Sequence, residues 1–581
     1  MKRWIAVGLL LIISCGTVTY LLDKRENLGL TTHLLLVNEL VSHSSRPVLC
    51  YLDLKSLRFQ ANDNPFRHLK LTVVGADDFE VDSEVFDSIP LGTPLVLSVE
   101  VWQSFFDRIR GQNVSKSVAS GVYDRALERI CERLLKGRTQ AYLRFNPEME
   151  VPGSTHPWQG FPKDYIESFH HVSTFVKKFA PQVKILWGPA GYPGTMEHYP
   201  GDEYVDAVSV TLKPEAENSL DAYPNDYTLS YDFKRRLHRL RFLQKPVFIL
   251  GSQNTTKEWN DDQIERYLKE IGKDWDLVSS YNQPLDQGYL NTDYRKGALN
   301  LGLYDPIGRL VNQPEINTEH YFIDFLATQD DTLWNRLKAS INRGHDLIVT
   351  FEPKFPEGEV QDTMVLKNIT DGKYDRNLRN FYRLLRKLKG KIYLRFAQEM
   401  EIPIHRYPWQ SKDPADYIKA YRYFMNFEKE LPSSVERVWG PAGDRGSIEW
   451  YPGDDVVDYV SIAIYGLPDK NITDPNQQES FEKIFARKSW RLRFINKPIF
   501  ITEFGVKGPE DYQTVWLENA AKTINANPNI VGINYFNLSD VPKAWGDIQP
   551  PDWSLSEQTF RTFIYALSPS LCNDGGQQNS F

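Results

Sequence analysis

The chain has 581 residues, with 68 Lys and Arg against 76 Asp and Glu, for a formal net charge of −8. That length is too great for one domain and suits two of roughly 250 residues, each able to bury its own core. An acidic balance without a long basic run argues against a nucleic-acid partner. The four Cys lack metal-site spacing and do not form a disulfide framework, and nothing in the sequence calls for a metal or a cofactor.

At the start, Lys2 and Arg3 precede a largely apolar run, Trp4 to Leu22, about the length that crosses a bilayer. Residues 1–26 are therefore expected to be a signal segment or an uncleaved membrane anchor. Ile12-Ile13-Ser14-Cys15 also resembles a bacterial lipobox with Cys15 as the lipidated residue, and a buried soluble helix is the remaining reading. Either of the first two exports the chain and holds it to the membrane, facing the periplasm or the cell exterior.

The rest of the chain says nearly the same thing twice. TQAYLRFNPEMEVP (139–152) is echoed by KIYLRFAQEMEIP (391–403), LWGPAG (186–191) by VWGPAG (438–443), HYPGDEYVDAVSV (198–210) by WYPGDDVVDYVSI (450–462), and KPVFILGSQ (245–253) by KPIFITEFG (497–505). A repeat this long is a duplicated domain. We expect a first copy over 27–271, a polar, turn-rich linker over 272–292, a second copy over 293–567 and a disordered polar tail over 568–581.

Within the second copy, short apolar runs alternate with helical patterns. DLIVTF (346–351), KIYLRF (391–396), VERVWG (435–440), VDYVSIAIY (457–465), KPIFIT (497–502) and IVGINYF (530–536) predict strands; 415–431 and 511–526 predict helices. This α/β alternation predicts two tandem (β/α)8 TIM barrels, with an open doubly wound sheet as the alternative. In a barrel the strand C-termini form the active mouth. Glu352, Glu399 and Glu503 fall at such ends, as do Trp439 and Tyr465. Carboxylates at buried strand ends are costly unless paired, hydrogen-bonded or used. Two at one mouth suit glycoside hydrolysis, one as proton donor and one as nucleophile when the pair is roughly 5–5.5 Å apart.

These residues, in this order, resemble glycoside hydrolase family 26: EP after the second strand, RFxxEM followed by YPW, YPGDxxVDxVSI, KPIFITEFG, the opening ALNLGLYDP (298–306) and the closing YFNL (535–538) with Asp552 and Trp553. That family contains β-mannanases with some lichenases and β-1,3-xylanases, retaining barrel enzymes. The resemblance implies Glu399 as general acid/base, Glu503 as nucleophile and Tyr465 as the tyrosine touching it. Trp409 and Trp439 are candidate walls of the sugar site, with core packing as the other reading. Gln398, Arg395 and Glu352 complete the candidate substrate-binding set, and Glu352 and Arg395 read equally as a structural pair across the mouth. Gln398 stands where the family has His, Glu401 where it has Asn, and Ala463 where it has Asp; Glu401 should raise the acid's pKa.

In the first copy Glu148 aligns with Glu399 and Glu100 with Glu352, but Gly251 replaces Glu503 and Lys213 replaces Tyr465. The first copy is therefore expected to be inactive, serving as a polysaccharide-binding domain or as a spacer. The sequence as a whole predicts an exported retaining endo-β-glycosidase acting on a β-linked polysaccharide: a mannan, a mixed-linkage glucan or a bacterial exopolysaccharide. A non-catalytic polysaccharide-binding protein, or a partner of exopolysaccharide-synthesis machinery, is the alternative.

Overall fold

The computed structural model describes residues 48–53, 58–60, 66–74, 89–90, 92–103, 113–136, 140–152, 156–212, 229–243, 245–251, 261–275, 293–428, 434–466, 479–540 and 550–571. The apolar run of residues 4–22 with Cys15, most of the expected linker, and Lys213 lie outside these. Among the described residues no helix is long and apolar enough to cross a membrane. The chain divides into two compact units, Met1–Leu277 and Val278–Phe581, with the division inside the expected linker.

In the first unit, β1 is Val48–Asp53, β2 Arg58–Gln60, β3 Arg67–Val74, β4 Leu95–Trp102, β5 Ala141–Phe145, β6 Val183–Trp187, β7 Ala207–Leu212 and β8 Pro246–Gly251. β3 to β8 are mutually parallel and lie side by side in chain order. β1 then pairs antiparallel with β8, and β2 antiparallel with β1. The expectation of two whole barrels is thus met differently here. Among the described residues this sheet does not close, and the place beside β8 is taken by a hairpin from earlier in the chain. The physical reason lies in the sequence. After β8 the first copy has a helix, Asp261–Trp275, but no apolar run like IVGINYF to supply a further parallel strand. The hairpin pairs an edge that would otherwise expose backbone donors and acceptors.

In the second unit, β9 is Asn300–Tyr304, β10 Thr318–Ile323, β11 Asp346–Phe351, β12 Ile392–Phe396, β13 Val435–Trp439, β14 Tyr459–Val460, β15 Ala463–Gly466, β16 Ile499–Val506 and β17 Ile530–Phe536. Every pairing is parallel, and β14 and β15 are two pieces of one strand, both hydrogen-bonded to β16. β17 pairs with β9, so the sheet closes into an eight-position barrel. This is the (β/α)8 architecture that the alternation predicts. Its base is filled by Ile348, Tyr393, Val438 and Phe500, and the first unit repeats the layer with Val96, Tyr142, Leu186 and Phe248.

Two helices and one strand differ from expectation. The helix starting at Pro414 is capped by the Asp413 side chain on the Ala415 N–H and ends at Met425, short of the expected Leu431. The Tyr382 hydroxyl donates to the Phe424 carbonyl at 2.5 Å, satisfying a carbonyl that would serve the helix's continuation. The last helix, Glu557–Leu571, runs into the expected tail. β10 was not among the predicted strands because Thr318, Glu319 and His320 break the apolar run. The structure buries them by pairing: Glu319 with Arg343 and His345, and His320 with Thr350 at 2.8 Å.

Candidate active site

The barrel mouth collects the predicted carboxylates. Glu352 directly follows β11, Glu399 lies three residues beyond β12, Glu503 lies within β16 and Tyr465 within β15. With Gln398, these side chains line one cleft of about 650 Å³.

The nucleophile position is made by an irregularity in its strand. Against β14 and β15, β16 holds one residue more between Ile499 and Glu503. Against β17 it again holds one more between Ile501 and Phe504. Both neighbours thus place a bulge at Thr502–Glu503, and a bulge re-aims the side chain it carries. In the first unit the corresponding strands β7 and β8 pair without a slip.

Glu503 is buried, and its carboxylate is held on both oxygens. Arg395, from β12 and without solvent exposure, donates to Oε1, and the Tyr465 hydroxyl donates to Oε2 at 3.2 Å. The guanidinium reaches it across Gly440, where a Cβ would stand 2.2 Å from Arg395 Nε. The expected pairing of Arg395 with Glu352 is therefore corrected. Arg395 serves Glu503, while Glu352 accepts from Gln398 Nε2 at 2.7 Å and pairs with Lys354 at 2.7 Å.

Glu399 is held by backbone rather than by side-chain partners. Ala397 and Glu399 have φ of 44° and 54°, left-handed values that are strained for residues with a Cβ. The block after them pins that conformation: Trp409 Nε1 donates to the Gln398 carbonyl at 2.8 Å, Gln410 Nε2 to the Glu399 carbonyl at 3.2 Å, and the Glu399 N–H to the Gly440 carbonyl at 2.9 Å. Burial pushes the Glu399 carboxyl up to about 7 from an ordinary 4.5; the Glu503 carboxylate and Glu401 add to the rise, and Arg395 and Arg406 oppose it. Glu401 is itself a structural anchor. It accepts from the Gly443 and Asp444 N–H groups and from the Ser447 hydroxyl.

Trp409 and Trp439 are fully buried and do not line the cleft. For both, the sugar-wall expectation gives way to core packing: Trp409 lies under the loop that carries Glu399, bonded to the Gln398 carbonyl, and Trp439 packs edge-on against Tyr451. Tyr407 lines the cleft instead, stacked flat on Trp409 at 4.6 Å and 4°. Tyr304, Phe536, Trp553, Lys354 and Arg406 also line it and were not among the candidates. Tyr304, Tyr407, Phe536 and Trp553 sit inside motifs that the sequence displays, whereas Arg406 carries no sequence signal.

The first unit keeps the same frame around Glu148, with Gly251 at the position of Glu503. Asn146 and Glu148 have φ of 38° and 60°, Trp158 Nε1 donates to the Pro147 carbonyl, and Gln159 Nε2 to the Glu148 carbonyl. Arg144, the counterpart of Arg395, has no Glu503. Its guanidinium donates instead to Ser209, Ser98, Thr211 and the Gly188 carbonyl. Thr211 stands where the second unit has Ala463.

No family model matches the chain. Among curated proteins it is similar to a β-1,3-xylanase of a Vibrio species, at 29% identity over 265 residues, covering 42% of this chain and 45% of that protein. It is also similar to a β-1,3-xylanase of an Alcaligenes species, at 26% over 170 residues, covering 28% and 31%. A third relative is endoglucanase H of Acetivibrio thermocellus, at 27% over 236 residues, covering 37% and 24%. The chain spans less than half the length of these relatives. Among solved structures, a glycoside hydrolase family 26 β-mannanase from Bacteroides ovatus aligns with a TM-score of 0.38 and 15% identity, covering 50% of this chain and 96% of that one. An endo-β-1,4-mannanase double mutant from Cellulomonas fimi aligns with a TM-score of 0.36 and 15% identity, covering 47% and 71%. The barrel assignment itself rests on the strand pairings.

Three substitutions test the geometry. Gly440→Ala drives a Cβ into Arg395 and should cost on the order of 1–3 kcal/mol as an overpacked core site, read by denaturant titration; an unchanged midpoint would contradict the close approach. Glu503→Gly strips the buried guanidinium of its anion and should cost about 3–5 kcal/mol. Adding Ala463→Thr, as the first unit is built, should return about 1 kcal/mol through a neutral acceptor.

Proposed function

We propose that the second unit is a retaining endo-β-glycosidase of the family 26 type, acting on a β-linked polysaccharide, and that the first unit is a catalytically inactive relative. The observation that carries this reading is the division of labour between two carboxyls in one cleft. Glu503 is clamped by a buried guanidinium and a tyrosine hydroxyl, while Glu399 is pushed up to about 7. One group is ready to attack, and the other holds a proton near neutral pH.

The reaction follows in two displacements. Glu399 gives its proton to the glycosidic oxygen as a Glu503 oxygen attacks the anomeric carbon. The carbon–oxygen bond to the leaving sugar breaks, and a glycosyl ester forms on Glu503. Glu399, now ionised, takes a proton from water; that water attacks the same carbon and frees Glu503. Arg395 and Tyr465 receive the carboxylate again as the ester bond breaks, so they stabilise Glu503 both as nucleophile and as leaving group. The first unit has Gly251 at the position of Glu503 and so no carboxylate there to form the ester.

Export and membrane attachment through residues 1–26 belong to the same proposal, supported by the basic start and the apolar run. Cell fractionation tests this: recovery in the cytosolic fraction would overturn it.

The catalytic reading is tested by two variants of the full chain on β-mannan, β-1,3-xylan and mixed-linkage glucan. Glu503→Gln should reduce turnover to background, and residual turnover would mean that the first unit is active or the nucleophile lies elsewhere. Glu399→Gln should lower kcat/KM roughly 10²–10⁴-fold on unactivated glycans and less on aryl glycosides whose leaving group needs no proton. The wild-type kcat/KM should fall above a pH of about 7, as the Glu399 proton is lost. With Glu503→Gln the repelling charge is gone, and the Glu399 titration, followed by carbon-13 NMR, should move down; an unmoved titration would contradict their coupling. Because the folded-state value is raised, the stability linked to this group is full below 4.5 and lost as pH rises through about 7.

A further inference from the structure

The wall of the cleft beside Glu399 is cationic where sugar clefts usually offer an aromatic face. One face of the Tyr407 ring lies flat on Trp409. Over the ring sit Lys354 Nζ, 4.6 Å from the centroid, and Arg406 Cζ, 5.1 Å from it. The ring thus has an indole stacked on it and two cations within reach of its π-system, so charge stands where a pyranose would stack. Both cations line the cleft, and each keeps about a quarter to a third of its side chain exposed, 25% and 30%.

Internal neutralisation does not account for their placement. Glu352 needs one cation, and the first unit supplies its counterpart Glu100 from Lys70 on β3, while the position of Lys354 is held by Trp102, packed against His156 and Trp158. In the second unit the cation comes from the mouth side, and its ammonium has three donors, of which Glu352 takes one. Arg406 meets Asp540 through a single contact at 3.5 Å, leaving most of its five donors for a ligand. His405, next to it, has φ of 52°, a strained turn that carries Arg406 into the cleft wall.

The geometry points to an anionic subsite: Lys354 and Arg406 bind a carboxylate carried by a sugar of the substrate, so that the preferred glycan is an acidic one with uronic acid units. This inference rests on the glycosidase reading for its setting and can be tested apart from turnover. The carboxylate would accept from the Lys354 ammonium and the Arg406 guanidinium while the neutral face of the sugar meets Tyr304 and Phe536 across the cleft.

A matched pair of probes isolates the charge: β-1,4-linked hexamannuronate and mannohexaose share a backbone and differ at C6, carboxylate against hydroxymethyl. Isothermal titration of the full-length protein carrying Glu399→Gln, which slows turnover roughly 10²–10⁴-fold, should give roughly tenfold or tighter binding of the acidic hexamer at low salt, the scale of one charge-assisted contact. The preference should shrink as salt rises. Arg406→Gln and Lys354→Met should each erode the preference, weakening the acidic hexamer more than mannohexaose. Arg406→Gln is the cleaner variant, since it leaves Glu352 paired. Equal or weaker binding of the acidic hexamer, no binding of either hexamer, or a preference untouched by Arg406→Gln would overturn the inference. Loss of turnover on Glu503→Gln is read separately, so an acidic preference without hydrolysis would refute the glycosidase reading and leave the subsite standing.

Discussion

The site depends on a buried guanidinium. Arg395 has no solvent exposure, and a charge in that position is tolerable only with a partner that compensates for lost hydration. Glu503 is that partner, so the residue proposed as nucleophile is also part of what holds the fold. Gly440 gives the arginine its path, the bulge in β16 turns Glu503 toward it, and Tyr465 closes the other carboxylate oxygen. The first unit shows what the barrel mouth becomes when the carboxylate is removed. Arg144 is retained, equally buried, and is satisfied by two serines, a threonine and a carbonyl. Neutral acceptors replace the anion, and the bulge is absent from the strand that no longer has a side chain to aim.

The acid is governed by a different constraint. Both units hold the residue after β5 or β12, and the glutamate two positions further on, in left-handed backbone. Both secure it with the same buried indole and the same glutamine side chain. This conformation persists in the first unit, which has Gly251 at the position of Glu503, so it is a structural property that the two units share. What distinguishes the second unit is the Glu503 carboxylate beside a half-buried Glu399, which keeps a proton up to about 7; Glu401 adds to the rise but has a counterpart in Glu150 of the first unit. Removing Glu503 from that setting takes away one contribution to the rise and leaves burial, the larger one, in place.

The repeat, the barrel of the second unit and its two carboxyls were legible in the sequence because each rests on local pattern. IVGINYF forms β17 with the bounds expected, and Glu352, Glu399 and Tyr465 lie at strand ends as the periodicity requires. What was not legible depends on pairing across the chain. An indole in YPW reads alike whether it faces sugar or core, and only the hydrogen bond from Trp409 to the Gln398 carbonyl decides for the core. The partner of Arg395 is 108 positions away, and the choice between Glu352 and Glu503 turns on a bulge that no pattern in KPIFITEFG announces. Among the described residues the sheet of the first unit stays open, with no parallel strand beyond β8, and an absence is harder to read than a motif. Lys354 and Arg406 look like ordinary surface charges until Tyr407 brings them to one ring.

The most direct test of the account is to trap the glycosyl ester. The full-length protein is treated with 2-deoxy-2-fluoro-β-glycosyl fluorides of mannose, glucose and xylose, digested, and mapped by mass spectrometry. The account predicts a fluoroglycosyl adduct on Glu503 and none on any peptide of the first unit. An adduct on Glu399, on Glu352 or on a carboxylate of the first unit would contradict it, as would hydrolysis of a β-glycan that releases an inverted anomer.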